Sequence, residues 1–210
     1  MIIDEAGQCT EPECLVPIAL VPHGKIVLAG DPMQLGPVLR STLAKHYSFD
    51  ISLMERLMQT PLYTRDTKMF ANSGDYDARF VTKLTDNYRS HEMLLRLPSK
   101  LFYHNELVPC ASQSEAGSLS NWNRLPCKGC PLIFHAITGN EMRENDSPSF
   151  FNAQEVVLAT RYAKQLVNEK SDVISADDIA IITPYRKQVE KIRMMLRQLG
   201  LKDVKVSDLF

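Results

Sequence analysis

The sequence predicts an α/β fold with parallel sheets. Short apolar runs end in turn-forming or polar residues, as buried strands do, and segments with helical spacing of apolar residues separate most of these runs. Strands that alternate with helices pair in parallel through right-handed crossovers. The predicted strands are 2–3, 25–29, 80–84, 132–137, 178–182 and 204–206.

Four stretches have the apolar spacing of amphipathic helices. They are a short stretch at 53–58, a second at 91–103 that Pro98 is expected to kink, a third at 152–168 and a fourth at 186–199. Asn152 and Glu155 have the spacing of a capping box for the third helix, and Gly200 is placed to end the fourth.

Composition indicates an ordinary soluble globular protein rather than a disordered or membrane protein. Hydrophobic residues make up 44% of the chain and charged residues 23%, and the apolar runs are shorter than the ~20 residues of a membrane span. Five cysteines, an odd number, favour a reducing compartment, cytoplasm or nucleus. The net charge is -1, but basic residues outnumber acidic ones from Arg186 to Lys205.

Two polar segments, 64–78 and 110–131, interrupt the alternation and are expected to be surface loops or insertions. We place a domain boundary after the first of them. Residues 1–78 are then the trailing portion of one α/β domain, and residues 79–210 are most of another.

The first predicted strand runs into two adjacent carboxylates, Asp4 and Glu5. This pair suits metal-assisted phosphoryl transfer, with Asp4 holding Mg²⁺ and Glu5 orienting and deprotonating the attacking water. Taken alone, the pair could also be an ordinary acidic loop after a strand. The second strand leads to Asp31 and Gln34, and carboxyl ends of parallel strands meet at one crevice of the sheet.

Gln34 strengthens the prediction of a nucleotide site. Its amide can donate to a γ-phosphate oxygen and accept from the attacking water. A purely structural turn containing Gly30, Pro32, Gly36 and Pro37 is the alternative.

Two later strand exits also carry candidate chemistry. Arg89 follows a predicted strand and can reach phosphate charge across a cleft, although a surface ion pair is the alternative. Thr183 and the start of the following helix can hold a backbone phosphate, with Tyr185 as a stacking face. A solvated basic face is the alternative there.

Together these residues closely resemble superfamily 1 helicases of the Upf type, and within them the Moloney-leukaemia-virus-ten and Armitage branch. The resemblance covers nearly the whole chain. Its motifs are Asp4-Glu5-Ala6-Gly7-Gln8 (motif II), Gly30-Asp31-Pro32-Met33-Gln34-Leu35 (motif III), Asn87-Tyr88-Arg89-Ser90 (motif IV) and Thr183-Pro184-Tyr185 (a turn of the second RecA-like domain).

The resemblance implies a RecA-like P-loop NTPase fold, with an incomplete first domain in 1–78 and most of a second in 79–210. It implies ATP and Mg²⁺ as cofactors, with Glu5, Gln34 and Arg89 as catalytic residues. The implied nucleotide-binding residues are Asp4, which also holds Mg²⁺, Gln8, Asp31 and Tyr88. The implied RNA-binding residues are Pro37, Val38, Thr183, Pro184, Tyr185, Arg186 and Lys187.

The activity that the resemblance implies is ATP-dependent 5′-to-3′ RNA unwinding in RNA silencing. It implies single-stranded RNA and Argonaute or Piwi proteins as partners and residence in the cytoplasm, in ribonucleoprotein granules, while the short apolar runs predict no membrane association. Motif I is expected before Met1, and motifs V and VI after Val206, so the chain is interpreted as a central fragment or a truncated gene model. The alternative is a catalytically inactive RNA-binding or scaffold module.

Overall fold

The computed structural model describes residues 1–145, 147–170 and 172–208, in which the chain forms two compact units. The first unit spans Met1–Ala111, and the second starts at Ser112. The elements of the first unit are β1 (Ile2–Ile3), α1 (Glu11–Ala19), β2 (Val27–Leu28), α2 (Thr42–His46), α3 (Leu53–Met58), β3 (Asp86–Asn87), α4 (Glu92–Phe102) and β4 (Val108–Pro109). Those of the second are α5 (Gln113–Ala116), β5 (Glu141–Arg143), β6 (Phe150–Asn152), α6 (Ala153–Glu169), β7 (Ala180–Ile182), α7 (Arg186–Gln198) and β8 (Lys205–Ser207).

The strands pair two by two, and parallel pairing predominates. β1 pairs with β2, β3 with β4 and β7 with β8, all in parallel, which confirms a mixed α/β chain with short parallel sheets. The pair β5 and β6 is antiparallel. This hairpin was not predicted, because its short segments carry charged and aromatic residues rather than an apolar run.

The register of β1 and β2 fixes the edge at which the two strands end. Ile2 lies opposite Val27, and Ile3 opposite Leu28. The ladder continues one step further, since the Ala6 N–H donates to the Ala29 carbonyl at 2.8 Å. The residues that follow both strands therefore begin side by side, as the sequence predicted.

The second unit has its core where α6 and α7 pack with β7 and β8. The buried members of this core are Val156, Ala163, Val189, Ile192, Leu196, Leu201, Val204 and Val206. As predicted, the Asn152 side chain caps α6, accepting from the N–H groups of Gln154 and Glu155. The second hydrogen bond of the expected capping box, from the Asn152 N–H to the Glu155 side chain, is replaced. The Asn152 N–H donates instead to the Gln188 side chain on α7 at 2.8 Å.

Two predicted strands are wrong. Residues 80–84 and 132–137 form no strand in the structure, and Leu84 and Phe134 are each 91% exposed. An apolar run forms a strand only where a neighbouring segment supplies hydrogen-bonding partners, and single-sequence patterns do not reveal that neighbour. The strand predicted at 178–182 starts at Ala180, and the strand predicted at 204–206 is shifted to Lys205–Ser207.

Three short helices, α1, α2 and α5, were not predicted. For α1 the sequence does carry a signal, because Thr10 and Glu13 form a capping box and Pro12 lies in the first turn. The helices at 53–58, 91–103, 152–168 and 186–199 are confirmed, α4 with Pro98 inside it. Among the described residues no helix is both long and apolar enough to cross a membrane.

The first unit continues well past the expected boundary at 78/79. Arg65 bonds to Asp75 and, at 3.2 Å, to Glu106, and Lys83 also pairs with Glu106. These ion pairs join the polar segment 64–78 to residues that precede β4, so the contacts run continuously across position 78. A compact unit is defined by contacts within the structure, whereas a RecA-like domain is defined by its fold. The predicted domain boundary at 78/79 therefore stays a prediction.

Replacing Ile192 by Ala is expected to lower the free energy of unfolding by about 2–4 kcal/mol, because the side chain is 2% exposed in the α6–α7 core. Chemical denaturation measures this. Met194→Ala is the matched control on the same helix, since Met194 is 54% exposed, and its effect is expected within about 0.5 kcal/mol. Equal losses for the two variants would contradict the core described here.

Candidate functional site

The loops that follow β1 and β2 lie directly against each other through glycines. A Cβ on Gly7 would lie 2.8 Å from the Asp31 carbonyl oxygen. A Cβ on Gly30 would lie 2.9 Å from the backbone nitrogens of Ala6 and Gly7. Real Cβ atoms do not approach backbone so closely, so the contact depends on the absence of side chains at both positions.

The acidic pair occupies the exposed side of this contact. Asp4 and Glu5 are both exposed, and the Glu5 N–H donates to Asp4 Oδ1 at 3.0 Å. Glu5 has a φ of 51°, in the left-handed region that costs a non-glycine residue about 1–2 kcal/mol. Glu5 adopts this conformation in the turn that directly follows β1.

The donor set at Asp4 fits Mg²⁺. Magnesium ions that bind nucleotides take one or two protein carboxylates and complete their shell with phosphate oxygens and water. Within the described residues, Asp4 Oδ1 accepts the Glu5 N–H and no hydrogen bond to Oδ2 is present, so an oxygen on an exposed side chain is available for coordination.

Asp31 organises the second loop. Its Oδ1 accepts the Met33 N–H at 2.9 Å, and its Oδ2 accepts the Gln34 Nε2–H at 2.9 Å. The Tyr103 hydroxyl, at the end of α4, donates to the same Oδ2 at 2.7 Å. Burial and the bond to Asp31 raise the pKa of Tyr103 to about 12, against the smaller opposing effect of a hydrogen bond from Gln34.

Sequence reasoning missed Tyr103. The contact joins residues 72 positions apart, and nothing in the local sequence marks this tyrosine among the chain's seven. Gln8, which was predicted, lies in the first loop with an exposed side chain and donates its N–H to the Glu5 carbonyl at 2.9 Å.

Tyr88 and Arg89 lie at the other end of α4. Asn87 Oδ1 accepts the N–H groups of Arg89, at 3.0 Å, and Ser90, at 2.8 Å, which fixes the turn into the helix. The Arg89 side chain is exposed, and Tyr88 is 73% exposed with its hydroxyl 3.3 Å from Asp86, whose charge raises the Tyr88 pKa. The length of α4, about 16 Å, separates this turn from Tyr103.

The structure thus brings Asp4, Glu5, Asp31 and Gln34 to one edge, as predicted. The approach of Arg89 to that edge stays a prediction. The predicted RNA-binding residues near the second loop differ in accessibility, since Pro37 is buried whereas Val38 is 61% exposed.

In the turn after β7, too, only some of the residues that were predicted to bind RNA are accessible. Thr183 is 8% exposed, and its N–H donates to the Ser207 carbonyl of β8 at 3.2 Å. Pro184 is exposed, and Tyr185 is 42% exposed with its ring edge-on to Phe150 at 6.4 Å between centroids. The Tyr185 ring is therefore partly accessible, whereas the Thr183 side chain is enclosed.

The two basic residues that begin α7 both have acidic partners. Arg186 lies 3.3 Å from Asp208 but remains largely exposed. The Lys187 side chain is only 13% exposed, with its Nζ 2.8 Å from Glu144 and 2.9 Å from Glu190. These carboxylates raise the Lys187 pKa, so the lysine predicted to contact RNA is held within the protein.

Comparison with known proteins shows that the chain is similar to RNA helicases. A family profile described as "AAA domain" matches residues 49–208, and a second with the same description matches residues 1–42. The chain is 54% identical over 209 residues to "RNA helicase Mov10l1" of Homo sapiens, which covers 99% of the chain and 17% of that protein.

Two more distant relatives have related names. The chain is 44% identical to "Putative helicase mov-10-B.1" of Danio rerio, over 99% of the chain and 21% of that protein. It is 38% identical to "Probable RNA helicase armi" of Drosophila melanogaster, over 93% of the chain and 17% of that protein. The chain therefore spans about a fifth of the length of these relatives.

The substitution Gly7→Ala is expected to lower the free energy of unfolding by about 1–3 kcal/mol, because its Cβ meets a backbone carbonyl that cannot move aside. Thermal or chemical denaturation measures the loss. Gly36→Ala is the control, since its Cβ would lie at an ordinary 3.4 Å from the Asp50 carbonyl oxygen. An unchanged Gly7→Ala protein would show that the two loops are not in close contact.

Acid is expected to weaken the second unit through Glu144. Hydrogen bonds from Lys187 and Lys191 lower the Glu144 pKa from 4.5 to about 2. Because the folded pKa lies below the unfolded one, this stabilisation is complete above pH 4.5 and is lost as the pH falls towards 2.

Glu144→Gln removes that titration, so the variant is expected to be less stable than the wild type at pH 7 and to converge with it at pH 2. Urea denaturation at a series of pH values measures both effects. Glu141→Gln, at an exposed position of β5 in the same hairpin, provides the control. A stability gap between the Glu144→Gln variant and the wild type that does not change with pH would contradict the ion-pair interpretation.

Proposed function

The chain belongs to the superfamily 1 helicases of the Upf type, in the branch of the Mov10 and Armitage proteins, and from this premise we propose that it is part of an ATP-dependent RNA helicase. One observation carries the proposal. The glycine contact between the loops after β1 and β2 places Asp4, Glu5, Asp31 and Gln34 at the same edge of a parallel strand pair.

Three of the residues at that edge have direct tasks in ATP hydrolysis. Asp4 would hold the Mg²⁺ ion of the nucleotide, which would supply neutralisation of charge on the phosphate oxygens. Glu5, whose side chain is exposed, orients the attacking water and takes its proton at a carboxylate oxygen. Gln34 uses its amide to contact the γ-phosphate and that water.

We place the remaining catalytic residue, Arg89, on the second of two RecA-like domains, 1–78 and 79–210. Its guanidinium is exposed and therefore accessible to the phosphates when ATP draws the two domains together. Tyr88 then offers its exposed ring to the nucleotide base, and Gln8 its amide.

Single-stranded RNA is the proposed substrate. The accessible side chains among the predicted RNA contacts support this choice, namely Val38, Pro184, Tyr185 and Arg186. Aromatic stacking and basic contacts to phosphate are the general means by which proteins grip single strands. A function in RNA silencing, with Argonaute or Piwi partners in cytoplasmic granules, follows from the family alone and forms part of the same proposal.

The substitution Glu5→Gln in the complete protein that contains this chain tests the proposal. Loss of the general base is expected to lower the RNA-stimulated ATPase kcat by about 10²–10⁴-fold, with ATP affinity unchanged within about twofold. Steady-state ATPase assays and nucleotide titration measure the two quantities. Glu115→Gln, at an exposed position of α5, is the control and is expected to keep full activity.

Two results would count against this function. Normal turnover in the Glu5→Gln protein would remove the catalytic assignment. An absence of ATPase activity in the wild type, with RNA binding that weakens as salt rises, would favour the alternative of a non-catalytic RNA-binding module.

A further inference from the structure

We propose that Tyr103 is a positioning residue of the nucleotide site, which orients Gln34 through a shared hydrogen bond to Asp31 and so connects α4 to the loop after β2. The inference rests on the proposed function, because it assigns Tyr103 a part in the same hydrolytic site. It adds a residue from the far end of α4, outside every motif that the sequence displays.

The first support is the geometry at Asp31. Two donors, the Tyr103 hydroxyl at 2.7 Å and the Gln34 amide at 2.9 Å, share Oδ2. The other carboxylate oxygen is occupied by the Met33 N–H at 2.9 Å. The Asp31 carboxylate is therefore held from three directions, and its rotation, which would carry the Gln34 side chain with it, is opposed by Tyr103.

The second support is the environment of the hydroxyl. Tyr103 is partly buried whereas its neighbour Phe102 is 52% exposed, so the tyrosine is the residue of this pair that turns inward. Hydrogen bonds to a charged acceptor are stronger than those between neutral groups, and partial burial strengthens them further. Burial and the bond to Asp31 raise the Tyr103 pKa to about 12, which agrees with a phenol that donates to a carboxylate.

The third support is the position of Tyr103 on α4. The helix spans Glu92–Phe102, with Arg89 in the turn before it and Tyr103 directly after it. A single helix thus carries the proposed transition-state arginine at one end and the hydroxyl that holds Asp31 at the other.

The test uses Tyr103→Phe in the complete protein, assayed for ATPase activity with saturating single-stranded RNA. Loss of the hydroxyl alone is expected to lower kcat about tenfold, with the KM for ATP unchanged within about twofold. Tyr162→Phe is the matched control, because it removes a hydroxyl that bonds His135 at 2.8 Å in the second unit, and its kcat is expected to stay unchanged.

A double-mutant cycle separates positioning from general stabilisation. If Tyr103 acts through Gln34, Tyr103→Phe has no further effect on kcat in a Gln34→Ala background. Multiplicative losses in the double variant would overturn the proposal, as would an unchanged kcat in Tyr103→Phe. A Tyr103→Phe protein that is unfolded at the assay temperature, judged by its melting curve, would also overturn it, since the hydroxyl would then support the fold rather than the site.

The same assays distinguish failure of this inference from failure of the proposed function. Wild-type turnover that Glu5→Gln abolishes and Tyr103→Phe leaves intact refutes only the positioning role. Turnover that Glu5→Gln leaves intact, or no wild-type turnover, refutes the hydrolytic site and the positioning role with it.

Discussion

The close approach of two backbone segments, after β1 and after β2, is the constraint on which the candidate site depends. Parallel pairing brings Asp4 and Gly30 to the same edge, but pairing alone would leave the following loops free to diverge. Gly7 and Gly30 permit their close approach, because neither presents a Cβ to the backbone of the opposite loop. The acidic pair and the amide then face a common edge without any side chain having to bridge them, which leaves those side chains for chemistry.

A second level of organisation comes from contacts that are distant in sequence. The bond from Tyr103 to Asp31 and the ion pairs of Glu106 with Arg65 and Lys83 all cross position 78, where the sequence predicts a domain boundary. The first compact unit consequently includes β3, α4 and β4. Residues on both sides of the predicted boundary thus belong to one compact unit.

Local signals made much of the fold predictable. The strands β1, β2 and β7 and the helices α6 and α7 have apolar spacing and termini that the sequence displays directly, and the convergence of Asp4, Glu5 and Gln34 follows from parallel pairing. The features that the sequence did not predict depend on partners that are remote in the chain. Residues 80–84 and 132–137 lack a strand to pair with, the β5–β6 hairpin has no apolar run, and neither Tyr103 nor the Glu144 partner of Lys187 is marked by its neighbours.

The carboxylate of Glu144 also alters what the positive charge of α7 can do. Lys187 and Lys191 both bond to it, and the Lys191 ammonium lies 4.9 Å from the centre of the Phe151 ring. A lysine that is paired with a fixed carboxylate attracts few mobile anions from solution. It therefore releases few of them when a polyanion binds. The entropy gained from ions set free on association is therefore smaller than the number of basic residues along this helix implies.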